Sequence, residues 1–236
     1  MRRYVLMVVL ILLLPAFAMP EIFKDIRTKE DAKSLYEHYK EAFAKDKNYE
    51  NAWKLCAFAR FYGFYFVKDK RSREAIFEEA KNAGEYAVKV NPDGVEGNYF
   101  LGVAYGSWAE ERGVMNSLAL AGPIVDLMTK VIKKNPSFRD GAGYIVRGRV
   151  YAKAPGWPIS IGDADKAVKD FEMAIKYPNR TAYRYYSEFL ISKGEYRKAR
   201  ELIEKGLSLP PSNESVVDEY EVKLLKELLE KVKAEK

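Results

Sequence analysis

The sequence has few of the side chains on which catalytic and metal sites are built. Its 236 residues include one histidine, His38, and one cysteine, Cys56. It contains no glycine-rich phosphate loop, no His-Glu-x-x-His motif and no cluster of ligands at metal spacing. Both single residues lie at helical packing positions, where a structural role is the ordinary one. We therefore expect a protein that is not an enzyme and that uses no cofactor and no metal.

Disulfides and strands are lacking as well. One cysteine cannot form an intramolecular disulfide, so a hydrophobic core must hold the fold, and 48% of the residues are apolar and 14% aromatic. No stretch alternates β-branched and polar residues between turn pairs, which argues against β-strands. The fold class that these absences leave is all-α.

Positive charge is spread too evenly along the sequence to indicate a nucleic-acid-binding protein. Residues 1–18 carry two arginines and no acid, so the chain without them has 38 Lys and Arg against 34 Asp and Glu, a net charge of +4. These charges are interleaved and form no basic cluster with aromatic residues. We expect no nucleic-acid partner.

The N-terminus has the pattern of a secretory signal peptide over residues 1–18. Two arginines precede the apolar run Tyr4–Leu14, and Pro15–Ala18 ends in a small-x-small pattern. We predict cleavage after Ala18 and export to the periplasm or another extracytoplasmic space. The run is shorter than the about 20 residues of a comfortable membrane span, and an uncleaved N-terminal anchor is the alternative.

Four copies of a two-helix pattern follow. Each copy has a small residue in its first helix, where paired helices approach closely, and a proline that ends its second helix. The small residues are Ala57, Gly102, Gly148 and Ser187, and the prolines are Pro92, Pro136, Pro178 and Pro211. This is the pattern of the tetratricopeptide repeat, a helix–turn–helix unit of about 34 residues.

We therefore predict an all-α, tetratricopeptide-like helical-repeat solenoid with long insertions at the intra-repeat turns. Its single domain covers residues 19–236, with repeats at about 50–92, 93–136, 138–178 and 180–211. A helix over Asp31–Lys45 precedes the repeats. An amphipathic helix over residues 215–236 caps the last repeat by covering its apolar face.

Apolar and aromatic residues lengthen three of the four copies. The insertions include Phe61–Phe66, Trp108–Pro123 and Ala154–Asp163, the last of which reads APGWPISIGD. Loops that run over a protein surface are ordinarily polar. Two interpretations stay open: the insertions bury one another as a satellite core, or they line a pocket or a partner surface.

Several short stretches carry a resemblance to a known family, and ordinary repeats lack the last of them. They are Asn91-Pro92-Asp93, Glu96–Tyr99, Leu101-Gly102, Ser107–Glu110, Arg112–Val114, Ser117–Ile124 and Pro155–Asp163. Over about residues 70–210 the chain resembles the tetratricopeptide T-component family of TRAP transporters. The resemblance implies a periplasmic accessory protein that associates with the substrate-binding component of a transporter for organic acids or other small solutes. It also implies a hydrophobic cleft or pore, although family members are usually lipoproteins and this sequence has no lipobox cysteine.

The first helices of such repeats present a concave face, to which the insertions add. The candidate ligand- or partner-binding residues are Tyr99, Tyr105, Trp108, Arg112, Tyr144, Arg147, Tyr151 and Trp157. Arg112 and Arg147 could each hold a carboxylate bidentately. Trp108 and Trp157 are the main aromatic candidates. The alternative is structural: the arginines pair with neighbouring acids, and the rings pack in the core.

We expect a non-enzymatic periplasmic accessory component of a TRAP-type transport system. It would bind the substrate-binding protein and could shelter a small apolar or carboxylated ligand, as a monomer or a homo-oligomer. The alternative is a general tetratricopeptide scaffold that binds proteins or peptides in the cell envelope. An envelope hydrolase would require an acid–base pair in a cleft with a strongly shifted pKa.

Overall fold

The computed structural model describes residues 22–234, and this part of the chain forms ten α-helices. They are α1 (Lys29–Lys45), α2 (Tyr49–Phe66), α3 (Lys70–Val90), α4 (Val95–Arg112), α5 (Val114–Lys134), α6 (Ala142–Lys153), α7 (Ala164–Ala174), α8 (Arg180–Ser192), α9 (Tyr196–Ser208) and α10 (Ser215–Ala234). The one β feature within residues 22–234 is an isolated bridge between Gly156 and Gly162. The prediction of an all-α fold is confirmed.

Consecutive helices form four hairpins. Helix α2 packs with α3, α4 with α5, α6 with α7 and α8 with α9, and each hairpin also contacts the next. The small residues of the repeat pattern lie at these contacts, since a Cβ on Gly102 would be 2.4 Å from Met128 Cε and one on Gly148 would be 3.1 Å from Asp170 Cβ. The stacked hairpins are a tetratricopeptide-like helical repeat, as the sequence pattern predicts.

Polar side chains fix where several helices begin. Such side chains accept a hydrogen bond from a backbone N–H of the following helix at Thr28, Asn48, Asp69, Asp163 and Asn179. At α1 the capping is reciprocal, because Asp31 accepts from backbone N–H groups of Arg27 and Thr28. These backbone bonds hold the pKa of the Asp31 carboxyl below its usual value.

Helix α5 is the one helix among the described residues that is long and apolar enough, by length and composition, to cross a membrane. It is the second helix of the second repeat. Its residues Ile124, Met128 and Val131 are buried in a cluster that also contains Leu101 of α4. The packing of this repeat therefore accounts for one apolar stripe of the helix, whereas Val114 and Met115 at its start are exposed.

Helix α10 joins the two ends of the repeat series. Its residues Leu225 and Val232 belong to the core cluster around α8 and α9, as expected of a capping helix. Nearer its start, Val216 packs against the core of the first repeat, and the Tyr220 ring contacts the Tyr65 ring edge-on at 5.4 Å. The helix therefore also closes the superhelix across its concave side, a role that the sequence pattern did not predict.

A buried carboxylate just before α10 holds this closure. Glu214 accepts two hydrogen bonds from the guanidinium of Arg139, at 3.1 and 2.7 Å, and one at 3.4 Å from the backbone N–H of Phe23. Beside it, Arg27 donates to Ser215 Oγ at 2.8 Å. The N-terminal segment, the loop before α6 and the start of α10 therefore meet at one point.

The loop before α6 adopts an unusual backbone to deliver Arg139. Arg139, Asp140 and Gly141 are all left-handed, with φ of 45°, 53° and 73°. The left-handed conformation is unfavourable for residues other than glycine, so their surroundings must hold them there. The Asn179 amide does so in part, since it donates to the carbonyls of Arg139 and Asp140 at 3.3 Å each.

Glu214→Gln should lower the free energy of unfolding by about 3 kcal/mol, because it leaves the buried charge of Arg139 without its carboxylate. The matched control is Glu230→Gln in α10, whose partner Lys233 lies 2.8 Å away in an exposed pair. That change should cost less than about 0.5 kcal/mol. Urea unfolding followed by circular dichroism measures both. Equal losses for the two variants would contradict the role given to Glu214.

Candidate ligand cavity

The superhelix holds a cavity of about 1260 Å³ that is partly open to solvent. Its walls are inward-facing residues of α2, α4, α6 and α8, and the loop before α6 and the start of α10 complete them. The walls are largely apolar and aromatic, with Phe61, Tyr65, Phe100, Val103 and Ile145 among them. Small-molecule sites commonly occupy about 300–1,000 Å³, so this cavity is large enough for an organic ligand.

Arginines are the main charged groups of the cavity. The arginines that line it are Arg60, Arg139, Arg149, Arg180 and Arg184. Four of these are paired with carboxylates: Arg139 with Glu214, Arg149 with Glu110, Arg180 with Asp218, and Arg184 with Glu221. Burial alone would lower the pKa of Arg184, but the hydrogen bonds and charges of Glu221 and Glu188 raise it above its ordinary value. These four cations are therefore compensated within the protein.

Arg60 of α2 is the exception. Its Nε donates to Ser107 Oγ at 3.1 Å, and its guanidinium carbon lies 4.2 Å from the centre of the Phe64 ring. Within residues 22–234, no carboxylate lies within ion-pair distance of it. Next to it, burial raises the pKa of the Tyr65 phenol, which the charge of Arg60 partly opposes. The cavity lining therefore contains one arginine that has no acidic partner in the described part of the chain.

The insertion APGWPISIGD forms a loop that is fixed at its base and exposed at its tip. The Gly162 N–H donates to the Pro155 carbonyl at 2.8 Å, and the Asp163 N–H donates to the Tyr151 carbonyl at 3.0 Å. A Cβ on Gly162 would lie 1.9 Å from the carbonyl oxygen of Ala154, so only glycine fits there. The two ends of the loop are therefore held together, and Ala154 and Pro155 line the cavity.

Large apolar side chains are exposed at the tip of this loop and at the start of α5. Trp157 is 89% and Ile159 71% exposed at the loop tip, and Met115 is 78% and Val114 74% exposed at the start of α5. We call these four residues the apolar rim. The ends of α4 and α6 lie side by side there, because Arg149 reaches Glu110 at 2.9 Å, and Val114 itself lines the cavity. Exposed large apolar side chains of this kind are common where other molecules bind.

One of the eight candidate residues, Tyr99, lines the cavity. Its ring packs at 5.3 Å against Phe138. Trp157 belongs to the apolar rim instead. The other six lie outside the cavity, at contacts between neighbouring helices. The first helices thus present fewer of the predicted side chains to the interior than the repeat consensus suggested.

Both arginine candidates are held by acids. Arg112 pairs with Glu74 at 2.6 Å, and Arg147 makes a bidentate pair with Asp170 at 2.8 and 2.7 Å. The structural alternative therefore describes their present contacts. Whether either also binds a ligand or partner stays a prediction.

The remaining aromatic candidates have local partners. They are Tyr105, Trp108, Tyr144 and Tyr151. Tyr105 donates to Glu85 at 3.0 Å, and burial together with Glu85 raises its pKa to about 12. The indole N–H of Trp108 donates to Glu78, and the ammonium of Lys166 lies 5.5 Å from the Tyr151 ring centre. Tyr144 packs against the small cluster around Ile145.

The single histidine and the single cysteine of the chain do not line the cavity. His38 is exposed on α1, with its ring 4.9 Å from that of Tyr39. Cys56 is fully buried, and burial raises the pKa of its thiol. Within residues 22–234, no group of three or more His, Cys, Asp and Glu side chains could hold a metal ion.

Sequence reasoning missed the arginines of the cavity. For Arg60 a signal was available, because its position in the repeat pattern holds Tyr105 and Tyr151 in the next two copies. A charged residue at a position that otherwise packs an aromatic ring indicates a local departure from the repeat. No comparable signal pointed to Arg149, whose partner Glu110 is distant in sequence.

Trp157→Ala should change the free energy of unfolding by less than about 0.5 kcal/mol, because the side chain makes little buried contact. The matched comparison is Trp53→Ala, which removes an indole that is 8% exposed and stacked on Phe100 at 5.7 Å. That variant should lose about 3–5 kcal/mol. Denaturant unfolding of both variants tests the assignment, and a large loss for Trp157→Ala would show that the loop tip is buried.

Comparisons with known proteins bear on the family. A family model described as regulator of microtubule dynamics protein 1-3 matches residues 21–149, which is more than half of the chain. No curated protein matches the sequence. Among solved structures, the crystal structure of yeast Tom70 is similar at 12% identity with a TM-score of 0.23, over 86% of this chain and 60% of that chain. The chain thus spans less than two thirds of the Tom70 chain that it matches. On the family match, the chain belongs to the regulator of microtubule dynamics protein 1-3 family.

Proposed function

We propose that this family member is a non-enzymatic binding protein that shelters a small, largely apolar ligand in its closed superhelix. The observation that carries the proposal is the cavity of about 1260 Å³ between the repeats and α10. Its walls are more apolar than polar, and four of the five arginines that line it are held by carboxylates. A preformed cavity with a small number of placed polar groups is the usual form of a ligand site.

The apolar walls provide the driving force for binding. An apolar ligand would remove its own surface and that of residues such as Phe61 and Phe100 from water. Each Å² of apolar surface removed from water stabilises the complex by about 25 cal/mol. The Arg–carboxylate pairs keep the walls in place, so little ordering of the protein would accompany binding.

The apolar rim is the surface that we propose for a protein partner. Trp157 has a large apolar side chain and lies at the tip of a loop that is fixed at its base. Aromatic side chains that are held in place are frequent anchors of protein interfaces. Trp157 lies in the stretch Pro155–Asp163 that most strongly resembles the TRAP T-components. We therefore propose the substrate-binding protein of a TRAP transporter as the partner. Self-association through the same rim is the competing outcome.

An exported location goes with this proposal. It depends on the signal peptide predicted over residues 1–18, which lie outside the described residues. The periplasm is where a T-component would meet a substrate-binding protein. The comparisons with known proteins lend no support to the transport role, which rests on the resemblance and on the rim.

The family match favours a second candidate, a protein-binding scaffold without a transport role. The description of the family concerns regulation of microtubule dynamics, and microtubules are protein polymers. A helical-repeat scaffold would use its exposed edge in the same way for such a partner. The two candidates differ in the identity of the partner, and a partner assay therefore separates them.

Gly106→Phe should weaken ligand binding. Gly106 of α4 lines the cavity, and a Cβ there meets no atom within 4 Å, so a phenylalanine ring can occupy ligand space without a clash at its base. Gly122→Phe in α5 is the matched control, because that glycine also has open space and does not line the cavity. Fluorescence titration with the neutral apolar probe phenylnaphthylamine measures both.

The wild type and Gly122→Phe should bind the probe alike, and Gly106→Phe should bind it at least about tenfold more weakly. Equal binding by all three proteins would place the probe outside the cavity. Absence of binding by the wild type would contradict the proposed ligand function.

Trp157→Ala should weaken the complex with the partner by at least about tenfold if Trp157 is an interface anchor. Native mass spectrometry and titration would compare the TRAP substrate-binding protein encoded nearest the gene with tubulin. Val90→Ala, which trims an exposed apolar residue at the end of α3, is the matched control. A Trp157-dependent complex with the substrate-binding protein supports the transport role, and such a complex with tubulin alone supports the scaffold.

A further inference from the structure

We propose that Arg60 binds the carboxylate of the cavity ligand, which makes that ligand an amphiphilic organic acid. This inference rests on the proposed ligand function of the cavity and adds to it the ligand class and the anchoring residue. None of the candidate residues derived from the sequence has this role.

Arg60 differs from the other arginines of the cavity in its hydrogen-bond and ion-pair partners. Arg184 is held between Glu221 at 2.5 Å and Glu188 at 2.7 Å, and Arg139 is held by Glu214 at 2.7 Å. Arg60 faces the same space, and no carboxylate among residues 22–234 lies within ion-pair distance of it. A half-buried cation among apolar walls is costly unless an anion or water compensates it. A bound carboxylate would supply the acid that the protein itself supplies to the others.

The geometry of the Arg60 guanidinium suits a carboxylate. Its Nε is used by Ser107, whereas its two Nη atoms have no hydrogen-bond partner within the described part of the chain. The Phe64 ring lies 4.2 Å from the guanidinium carbon and restricts its movement. The N–H groups of the Nη atoms form a planar fork that matches the two oxygens of a carboxylate.

The residues around Arg60 limit the charge and shape of a suitable ligand. Arg60 carries one positive charge that a ligand could neutralise. The other cations of the lining are the paired arginines and the exposed lysines Lys24 and Lys153. The walls around Arg60 include Ala57, Phe61 and Val103, which offer no hydrogen bonds from their side chains. The site therefore suits one negative group on an apolar body.

Calorimetric titration with decanoate and with decanol tests the assignment, because the two ligands share a chain and differ in the head group. Arg60→Gln should weaken decanoate binding by about 10- to 100-fold, the range expected for losing a charge-assisted bidentate hydrogen bond. Binding of decanol should change by less than about twofold. Arg200→Gln, which removes an exposed arginine of α9, should leave both affinities as in the wild type.

The outcomes separate this inference from the proposed function. If Arg60→Gln binds decanoate as tightly as the wild type does, the anchoring role is wrong and the cavity function stands. If the wild type binds neither ligand, both are wrong. Should Arg60→Gln fail to fold by circular dichroism, Arg60→Lys keeps the charge and loses the planar fork. That variant should bind decanoate more weakly and decanol unchanged, and unchanged decanoate binding would overturn the proposal.

Discussion

The ion pair between Glu214 and Arg139 is the constraint on which the rest of the structure depends. It is buried, it also receives the backbone N–H of Phe23, and it joins three parts of the chain that are far apart in sequence. Those parts are the N-terminal segment, the loop before α6 and the start of α10. Removing either partner of a buried ion pair is strongly destabilising, because the charge of the other partner is then left buried without compensation. The closed form is therefore specified by one contact as well as by apolar burial.

Closure gives the interior its chemistry. Acids from α10, or from the residues just before it, face arginines of the repeat helices, so Glu221 meets Arg184 and Asp218 meets Arg180. The same helix brings Tyr220 against the first repeat, which completes an aromatic wall. Within this compensated interior Arg60 has no acidic partner among the described residues. The apolar rim at the mouth is built separately, by the insertions of the second and third repeats.

The sequence predicted those features whose causes are local. Prolines and small residues such as Gly102 and Gly148 determine where helices end and how closely they pair, so the repeats were predictable. The second role of α10 was not, because amphipathic spacing shows that a helix has an apolar face and not which distant face covers it. Glu214 and Phe23 are 191 residues apart. Likewise, the composition of APGWPISIGD could not tell that Pro155 lines the cavity while Trp157 is exposed.

The central claim is that the superhelix is closed, and a distance across the closure tests it most directly. Spin labels at Asp25→Cys and Ser212→Cys would report that distance by pulsed electron paramagnetic resonance, since both positions are exposed and flank the contact between Phe23 and Glu214. The native Cys56 is fully buried and should stay unlabelled in the folded protein. The account predicts one narrow distribution at short distance. A broad distribution at long distances would show an open superhelix and contradict it.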